Sequence, residues 1–170
     1  MTGLLRQACS RRLLCAAAAW FAAVPSWALD GPSGAVVLTI SGVGMKGEAQ
    51  FDMAMLAALP QHSFTTKTPW YPVAHKFTGP LLRDVLAAAA VGAQGKLIEA
   101  MAVNDYKVTI PRADAQQRNV ILARLLDDKP MALRDKGPLF IIYPFDTAEE
   151  LRNSVFYSRS AWQLKSLLIK

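Results

Sequence analysis

Cysteine is missing from residues 29–170 of this 170-residue chain, since Cys9 and Cys15 both lie near the N-terminus. That part of the chain therefore offers no disulfide, no thiolate ligand for a metal and no cysteine nucleophile. It also lacks internal repeats and blocks of lysine and arginine, which argues against nucleic acid as a partner. The composition, 52% hydrophobic and 19% charged residues, is typical of one globular domain that is stabilised by its core.

The N-terminal residues have the pattern of an export signal. Three arginines form a positive region, residues 13–24 are uncharged and apolar, and small residues precede a cleavage site after Ala28. The apolar run is shorter than the roughly 20 residues that span a bilayer. We therefore expect a cleaved signal peptide over residues 1–28 and an exported domain over residues 29–170, with an uncleaved anchor as the alternative. Removing the three arginines lowers the formal net charge from +6 to +3.

Strand patterns dominate the exported part of the chain. Runs of apolar and β-branched residues predict strands over residues 35–40, 63–68, 97–103, 106–110, 120–126, 139–143 and 164–169. Asn104 and Asp105 form a turn pair that favours a hairpin between two of these strands. Residues 69–72 contain two prolines and predict an irregular loop.

Two helices are predicted among these strands. The first, over residues 53–59, begins after Asp52 as a capping residue and ends at Pro60. The second occupies residues 80–92, with proline in its first turn, a helically spaced apolar stripe and glycine at its C-terminal cap. Shorter helical turns are predicted over residues 148–151 and 160–162. Together the elements predict an α+β fold, with a mixed β-sheet core and short helices in a single domain.

Two motifs of the chain are weak signals for chemistry. Residues 42–47 (GVGMKG) match the dinucleotide-binding glycine pattern, but no long helix follows at once, so a turn between strands is the better interpretation. His62 and His75 are the only histidines and have no acidic or thiol residues arranged near them in sequence. We therefore expect no metal site, because structural zinc needs three or four clustered ligands.

Four polar and aromatic segments are more informative. They are residues 65–71 (TTKTPWY), 104–106 (NDY), 134–137 (RDKG) and 152–162 (RNSVFYSRSAW). A flat heteroaromatic ligand would use such rings for stacking and a carboxylate for paired N–H donors. The alternative interpretation is a turn-rich surface with ordinary core aromatics, since loops are polar in any case.

A series of segments also occurs in a specific order along the chain. The series is 77–86 (FTGPLLRDVL), 103–106 (VNDY), 134–139 (RDKGPL) and 158–164 (SRSAWQL). In order and spacing it resembles the sulfite-oxidase-type molybdopterin-binding domain family. The resemblance covers nearly all of residues 35–170, and it implies the fold of that family.

One departure from the family changes what the resemblance implies. In the enzymes of the family a cysteine on the segment before the GPLLRD helix ligates molybdenum, whereas residues 64–70 (FTTKTPW) contain none here. A threonine hydroxyl is a poor substitute for a soft thiolate, so we expect neither molybdenum nor redox catalysis. Exported, cysteine-free chains of this kind resemble periplasmic pterin-binding regulators of the PruR type. That likeness implies a periplasmic protein that binds a reduced or molybdopterin-like pterin and signals to the periplasmic domain of a membrane-bound cyclic-di-GMP enzyme.

The resemblance and the residue chemistry together imply a set of pterin-binding residues. Asp105 would accept the protons of the 2-amino group and N3, while Trp70, Tyr157 or Trp162 would stack on the ring. Hydroxyls or a phosphate of the ligand would be bound by Asn104, Arg134, Lys136 and Arg159. The former metal position would be lined by Thr66 and Thr68. The set is completed by two adjoining residues, Tyr106 and Lys67.

Two other functions remain open from the sequence. The chain could be a molybdopterin-dependent oxidoreductase subunit that holds the cofactor through its dithiolene alone. It could also be a ligand-free interaction protein whose cavity is filled by apolar side chains.

Overall fold

The computed structural model describes residues 31–170, so the predicted signal peptide lies outside the described residues. Eleven strands form three sheets in this part of the chain. The strands are β1 (Val36–Gly42), β2 (Ala49–Asp52), β3 (Gln61–Thr68), β4 (Tyr71–Pro80), β5 (Leu97–Ala102), β6 (Lys107–Pro111), β7 (Ile121–Ala123), β8 (Leu125–Leu126), β9 (Lys129–Pro130), β10 (Phe140–Ile142) and β11 (Leu164–Ile169).

The largest sheet has five strands in the order β2-β1-β11-β5-β6. The last strand of the chain, β11, pairs in parallel with β1 and antiparallel with β5, which makes the sheet mixed. A second sheet has the order β3-β4-β8-β9, and β7 and β10 form an antiparallel pair. The predicted α+β class with a mixed sheet and short helices is therefore confirmed.

The helices are short and lie between the strands. They are α1 (Met53–Ala58), α2 (Leu82–Ala88), α3 (Arg112–Gln117) and α4 (Ser154–Arg159), with single 3-10 turns at Leu133–Asp135 and Glu149–Leu151. Asp52 caps α1 as predicted, because its carboxylate accepts the backbone N–H of Met55 at 2.8 Å. Hydrogen bonds from three backbone N–H groups, those of Met55, Gly34 and Ser33, lower the pKa of Asp52 below its usual value. Among the described helices, none is long and apolar enough to cross a membrane.

Several sequence predictions of local structure were wrong. Residues 69–72 do not form an irregular loop: only Pro69 and Trp70 form the turn, and β4 begins at Tyr71. The register between β3 and β4 shifts here, since Thr66 pairs with His75 and Thr68 with Tyr71, so that Pro72 lies in the irregular stretch of β4 where no backbone donor is required.

The second predicted helix is also shorter than expected. It ends at Ala88 rather than near Gly92, since Ala90 adopts a left-handed φ of 53°. Residues 160–162 form no helical turn, because the preceding residues form α4 and Trp162 bridges Phe140 instead. Helix α3 was not predicted, whereas the turn at residues 42–47 was.

The core packs between the three sheets and determines where the aromatic residues meet. Strand β10 is buried along its whole length, and Phe140 is fully buried within it. The β3–β4 turn places Trp70 against Phe140, with ring centroids 5.5 Å apart. The consequence is that the β3–β4 turn, β10 and the segment that follows α4 converge on one aromatic cluster.

Candidate functional site

A cavity of about 280 Å³ opens beside this cluster, and we call it the aromatic cavity. It is lined by Trp70, Ala102, Asn104, Tyr106, Tyr157, Ser158, Ser160 and Trp162. Its volume lies close to the lower limit of about 300 Å³ for small-molecule pockets, which suits a flat bicyclic ligand. Five of the predicted site residues, separated by up to 92 positions in sequence, therefore line one cavity.

Trp70 is the centre of the aromatic wall. Its ring lies 5.3 Å from that of Trp162 and 6.2 Å from that of Tyr157, both edge to face. Edge-to-face packing fixes the orientation of each ring, because the positive edge of one ring meets the negative face of the next. All three rings are half-buried, so each one leaves surface available to a ligand.

The opposite wall of the aromatic cavity is polar. It comes from the β5–β6 hairpin, whose turn is closed by Asp105 in the left-handed conformation at φ 63°. This turn exposes Asn104 and Tyr106, and the Tyr106 hydroxyl donates to the backbone carbonyl of Ser158 at 3.1 Å. That hydrogen bond joins the hairpin to α4, so the two sides of the cavity are held together.

A second cavity of about 260 Å³ lies next to the first, and we call it the basic cavity. It is lined by Lys67, Thr68, Pro69, Asp146, Arg152 and Tyr157. Tyr157 lines both cavities, while Pro69 and Trp70, which are consecutive, line one each. The two cavities are therefore neighbours on either side of the β3–β4 turn and Tyr157.

Thr66 does not line either cavity. It is buried, and its hydroxyl accepts the backbone N–H of Asp146 at 3.2 Å. The carboxylate of Asp146 in turn accepts the backbone N–H of Lys67 at 2.8 Å. Thr66 thus holds the 144–147 segment against β3, which is a structural role.

Asp105 lies beside the aromatic cavity rather than in its wall. Its side chain is 79% exposed and its carboxylate accepts from the Lys165 amine at 2.7 Å. The hydrogen bond and the charge of Lys165 lower the pKa of Asp105, so the group is an ionised acceptor at neutral pH. To bind the edge of a pterin, Asp105 would exchange its bond with Lys165 for one with the ligand.

Arg134 and Lys136 lie outside both cavities. Arg134 is 88% exposed and pairs only loosely with Asp135, at 3.5 Å. Lys136 has its amine over the ring of Tyr71, 4.6 Å from the centroid, and neither residue lines the two cavities. Their predicted contacts with ligand hydroxyls or a phosphate stay predictions.

Arg159 forms a partly buried ion pair with Asp114. Its guanidinium lies 2.9 Å from Asp114 and over the ring of Phe156, 5.3 Å from the centroid. The hydroxyl of the fully buried Tyr143 donates to the same oxygen of Asp114 at 2.9 Å. Burial and the nearby carboxylate raise the pKa of Tyr143, so that it remains a donor.

Sequence reasoning missed several residues of the two cavities. Ser158 and Ser160 fall inside the donor-rich segment 152–162, which was singled out as a whole. Arg152 belongs to that segment too, but Asp146 follows a buried strand and has no signal of its own in the sequence. Only the packing of β3 against the 144–147 segment brings it to the site.

A larger cavity among the described residues, about 610 Å³, lies elsewhere. It is formed between β3, the start of α2, the end of α3 and the 144–151 segment, and Phe64 is the one phenylalanine, tyrosine or tryptophan that lines it. We place the candidate site in the smaller aromatic cavity, because recognition of a flat ring needs aromatic faces rather than volume.

The side chains near the β3–β4 turn do not fit a molybdenum ligand set of the enzyme type. Residues 64–70 offer threonine hydroxyls and a lysine amine but no thiolate, and the Thr66 hydroxyl is already hydrogen-bonded. Within residues 31–170, no three histidine, cysteine, aspartate or glutamate side chains are grouped so as to hold a metal ion. The aromatic cavity, by contrast, fits a pterin ring in size and chemistry.

Comparison with known proteins agrees with this fold. The chain is similar in structure to sulfane dehydrogenase SoxCD from Paracoccus pantotrophus, with a TM-score of 0.60 and 16% identity over 78% of this chain. It spans 37% of that chain, so the likeness concerns the fold alone. No curated protein matches the sequence. Residues 28–148 match the model of the oxidoreductase molybdopterin binding domain, which confirms the predicted fold; the chain belongs to this family.

Proposed function

We propose that this protein is a periplasmic pterin-binding protein that reports pterin to a membrane-bound signalling enzyme and performs no redox catalysis. The observation that carries the proposal is the aromatic cavity, in which two tryptophans and a tyrosine face an amide and hydroxyl groups. Rings of this kind stack on a heterocycle, and the polar wall satisfies its N–H and carbonyl groups. Membership of a molybdopterin-binding family supports a pterin as the heterocycle.

The lack of redox catalysis is proposed from the donor set. The family's enzymes bind molybdenum through a cysteine, and residues 29–170 contain none. A hydroxyl ligand would be harder and far less acidic than a thiol, which disfavours a soft metal centre. The proposed protein therefore binds the pterin part of the cofactor without molybdenum.

Pterin binding is expected to depend on the ring of Tyr157. Tyr157→Ala should weaken binding of tetrahydrobiopterin about tenfold, since stacking on one aromatic ring contributes about 1–3 kcal/mol. Calorimetry gives the dissociation constant, and tryptophan fluorescence gives a second readout, because Trp70 and Trp162 are the only tryptophans of residues 29–170. The matched control is Val155→Ala on the same helix, an exposed residue outside both cavities, which should bind as the wild type does.

Three outcomes would contradict pterin binding or its chemistry. No heat with tetrahydrobiopterin or dihydrobiopterin would favour the ligand-free interaction protein. Equal affinities of Tyr157→Ala and the wild type would place the ligand outside the aromatic cavity. Stoichiometric molybdenum in protein purified from the periplasm would favour the oxidoreductase subunit. In a separate experiment, mass spectrometry of the small molecule that co-purifies with the protein would identify the cofactor.

Signalling requires that the pterin change the affinity for the partner. A ligand shifts a partner equilibrium only through a difference in affinity between the free and bound protein. We expect the protein to bind the periplasmic domain of a cyclic-di-GMP enzyme at least fivefold more tightly or more weakly with pterin present, as typical coupling free energies imply. Titrations with and without tetrahydrobiopterin measure this ratio. A ratio of one would reject the reporting role and leave pterin binding intact.

A further inference from the structure

The basic cavity contains a hydroxyl that the fold itself leaves without a partner. Thr68 is only 8% exposed, and its Oγ1 has no hydrogen-bond partner among the described residues. A buried hydroxyl without a partner is destabilising, because its hydrogen bonds to water are lost and not replaced. Its neighbour on the same strand face, Thr66, is satisfied by the backbone of Asp146. The hydroxyls of Tyr71 and Thr78 also lack a partner among the described residues, but of the three residues only Thr68 lines the basic or the aromatic cavity, where a ligand group can reach it.

The charges around Thr68 favour an anion. Asp146 is the one acid of the cavity, and it is already held by the backbone of Lys67 and by Arg152, whose Nη2 lies 3.2 Å from its Oδ1. Among the ion pairs of residues 31–170 none involves the amine of Lys67. The basic cavity therefore contains two cations, Lys67 and Arg152, and one carboxylate that is already paired, so its net charge is positive.

The position of the basic cavity relates it to the aromatic one. Tyr157 lines both, so a substituent that extends past Tyr157 from a ring in the aromatic cavity would enter the basic cavity, which Thr68 lines. We propose that the basic cavity binds an anionic substituent of the ligand, a carboxylate or a phosphate, through Lys67, Thr68 and Arg152. This inference rests on the proposed pterin function and specifies the ligand further: the preferred pterin carries an acidic side chain.

Two matched pairs of probes test the inference. 6-Hydroxymethylpterin and 6-carboxypterin differ in a neutral or a carboxylate substituent, and neopterin and neopterin phosphate differ in a phosphate. We expect the anionic member of one pair to bind the wild type about tenfold more tightly than its neutral partner, as charge-assisted hydrogen bonds imply. The pair that shows the difference identifies the anion as carboxylate or phosphate.

Variants then assign the preference to the cavity. Lys67→Gln should reduce the preference for the anionic probe at least threefold and leave the neutral probe unchanged, since the exposed side chain has no structural partner among the described residues. Thr68→Val should also reduce the preference, while the melting temperature stays the same or rises, because the substitution removes a buried unsatisfied group. Thr66→Val is the matched control on the same strand. It should lower the melting temperature, because it removes the hydrogen bond to the backbone of Asp146, but the folded variant should keep the wild-type preference for the anionic probe.

The outcomes separate this inference from the proposed function. Tight and equal binding of the neutral and anionic members in both pairs would overturn the anion site and leave pterin binding standing. An anion preference that survives both Lys67→Gln and Thr68→Val would also overturn it, because the anion would then bind elsewhere. Failure of all four probes and of tetrahydrobiopterin to bind would overturn the pterin function and this inference together, whereas binding of tetrahydrobiopterin alone would overturn only this inference.

Discussion

Gly79→Ala is expected to destabilise the protein by about 3 kcal/mol, although alanine normally suits a strand better than glycine does. Gly79 lies in β4 where this strand crosses β7 at close range. A Cβ at this position would overlap the backbone carbonyl of Leu122 and lie 2.8 Å from the Cα of Ala123. Backbone atoms cannot rotate away as a side chain can, so relief requires that the two strands separate.

Separation of these strands would also disturb the candidate site. Strand β7 pairs with β10, in which Phe140 lies opposite Ala123 and packs against Trp70. We therefore expect Gly79→Ala to weaken the near-ultraviolet circular dichroism of the aromatic cluster as well as the free energy of unfolding. Urea denaturation measures the free energy of unfolding. If too little folded variant accumulates for that measurement, the fraction of soluble protein on expression is compared with that of the wild type instead.

Gly47→Ala is the matched control for this substitution. Among the described residues nothing lies within 4 Å of a Cβ built on Gly47, so alanine should leave stability unchanged or raise it slightly. If Gly79→Ala proved as stable as Gly47→Ala, the close approach of β4 and β7 would be wrong.

Local structure was predictable where one or two residues determine it. The carboxylate of Asp52 accounts for the start of α1, and the Asn104–Asp105 pair accounts for the β5–β6 turn, because each effect acts over a few bonds. The loop predicted from the prolines at 69 and 72 was wrong for the opposite reason. Their effect depends on the register between β3 and β4, and the bulge that accommodates Pro72 is a property of the paired strands.

The candidate site was predictable in its aromatic half and less so in its charges. Trp70, Tyr157 and Trp162 were singled out in the sequence as rings within polar segments, and the structure brings all three to one cavity, while their stacking on a ligand stays a prediction. A charged side chain is long and can pair with any acid that the fold brings near it. No pattern in the sequence indicates that Arg159 pairs with Asp114, 45 positions away, or that the backbone of Asp146 hydrogen-bonds to Thr66.

Arg159→Met is expected to cost about 2 kcal/mol of stability and to leave pterin affinity within about threefold of the wild type. Its guanidinium neutralises Asp114, whose side chain is only 9% exposed, and a buried carboxylate that loses its cation is costly. The expected cost lies below the usual 3–5 kcal/mol for buried pairs, since Arg159 is 22% exposed. Arg118 at 3.6 Å and the hydroxyl of Tyr143 also remain beside the carboxylate.

Two comparisons show whether the ion pair causes this loss. Arg134→Met removes the same charge from an exposed position and should change the free energy of unfolding by less than about 0.5 kcal/mol. The double variant Asp114→Asn/Arg159→Met should lose less stability than the two single variants added together, because the second change removes the charge that the first one leaves unpaired. A tenfold loss of pterin affinity in Arg159→Met at unchanged stability would instead require that Arg159 leave Asp114 for the ligand, as the sequence alone had suggested.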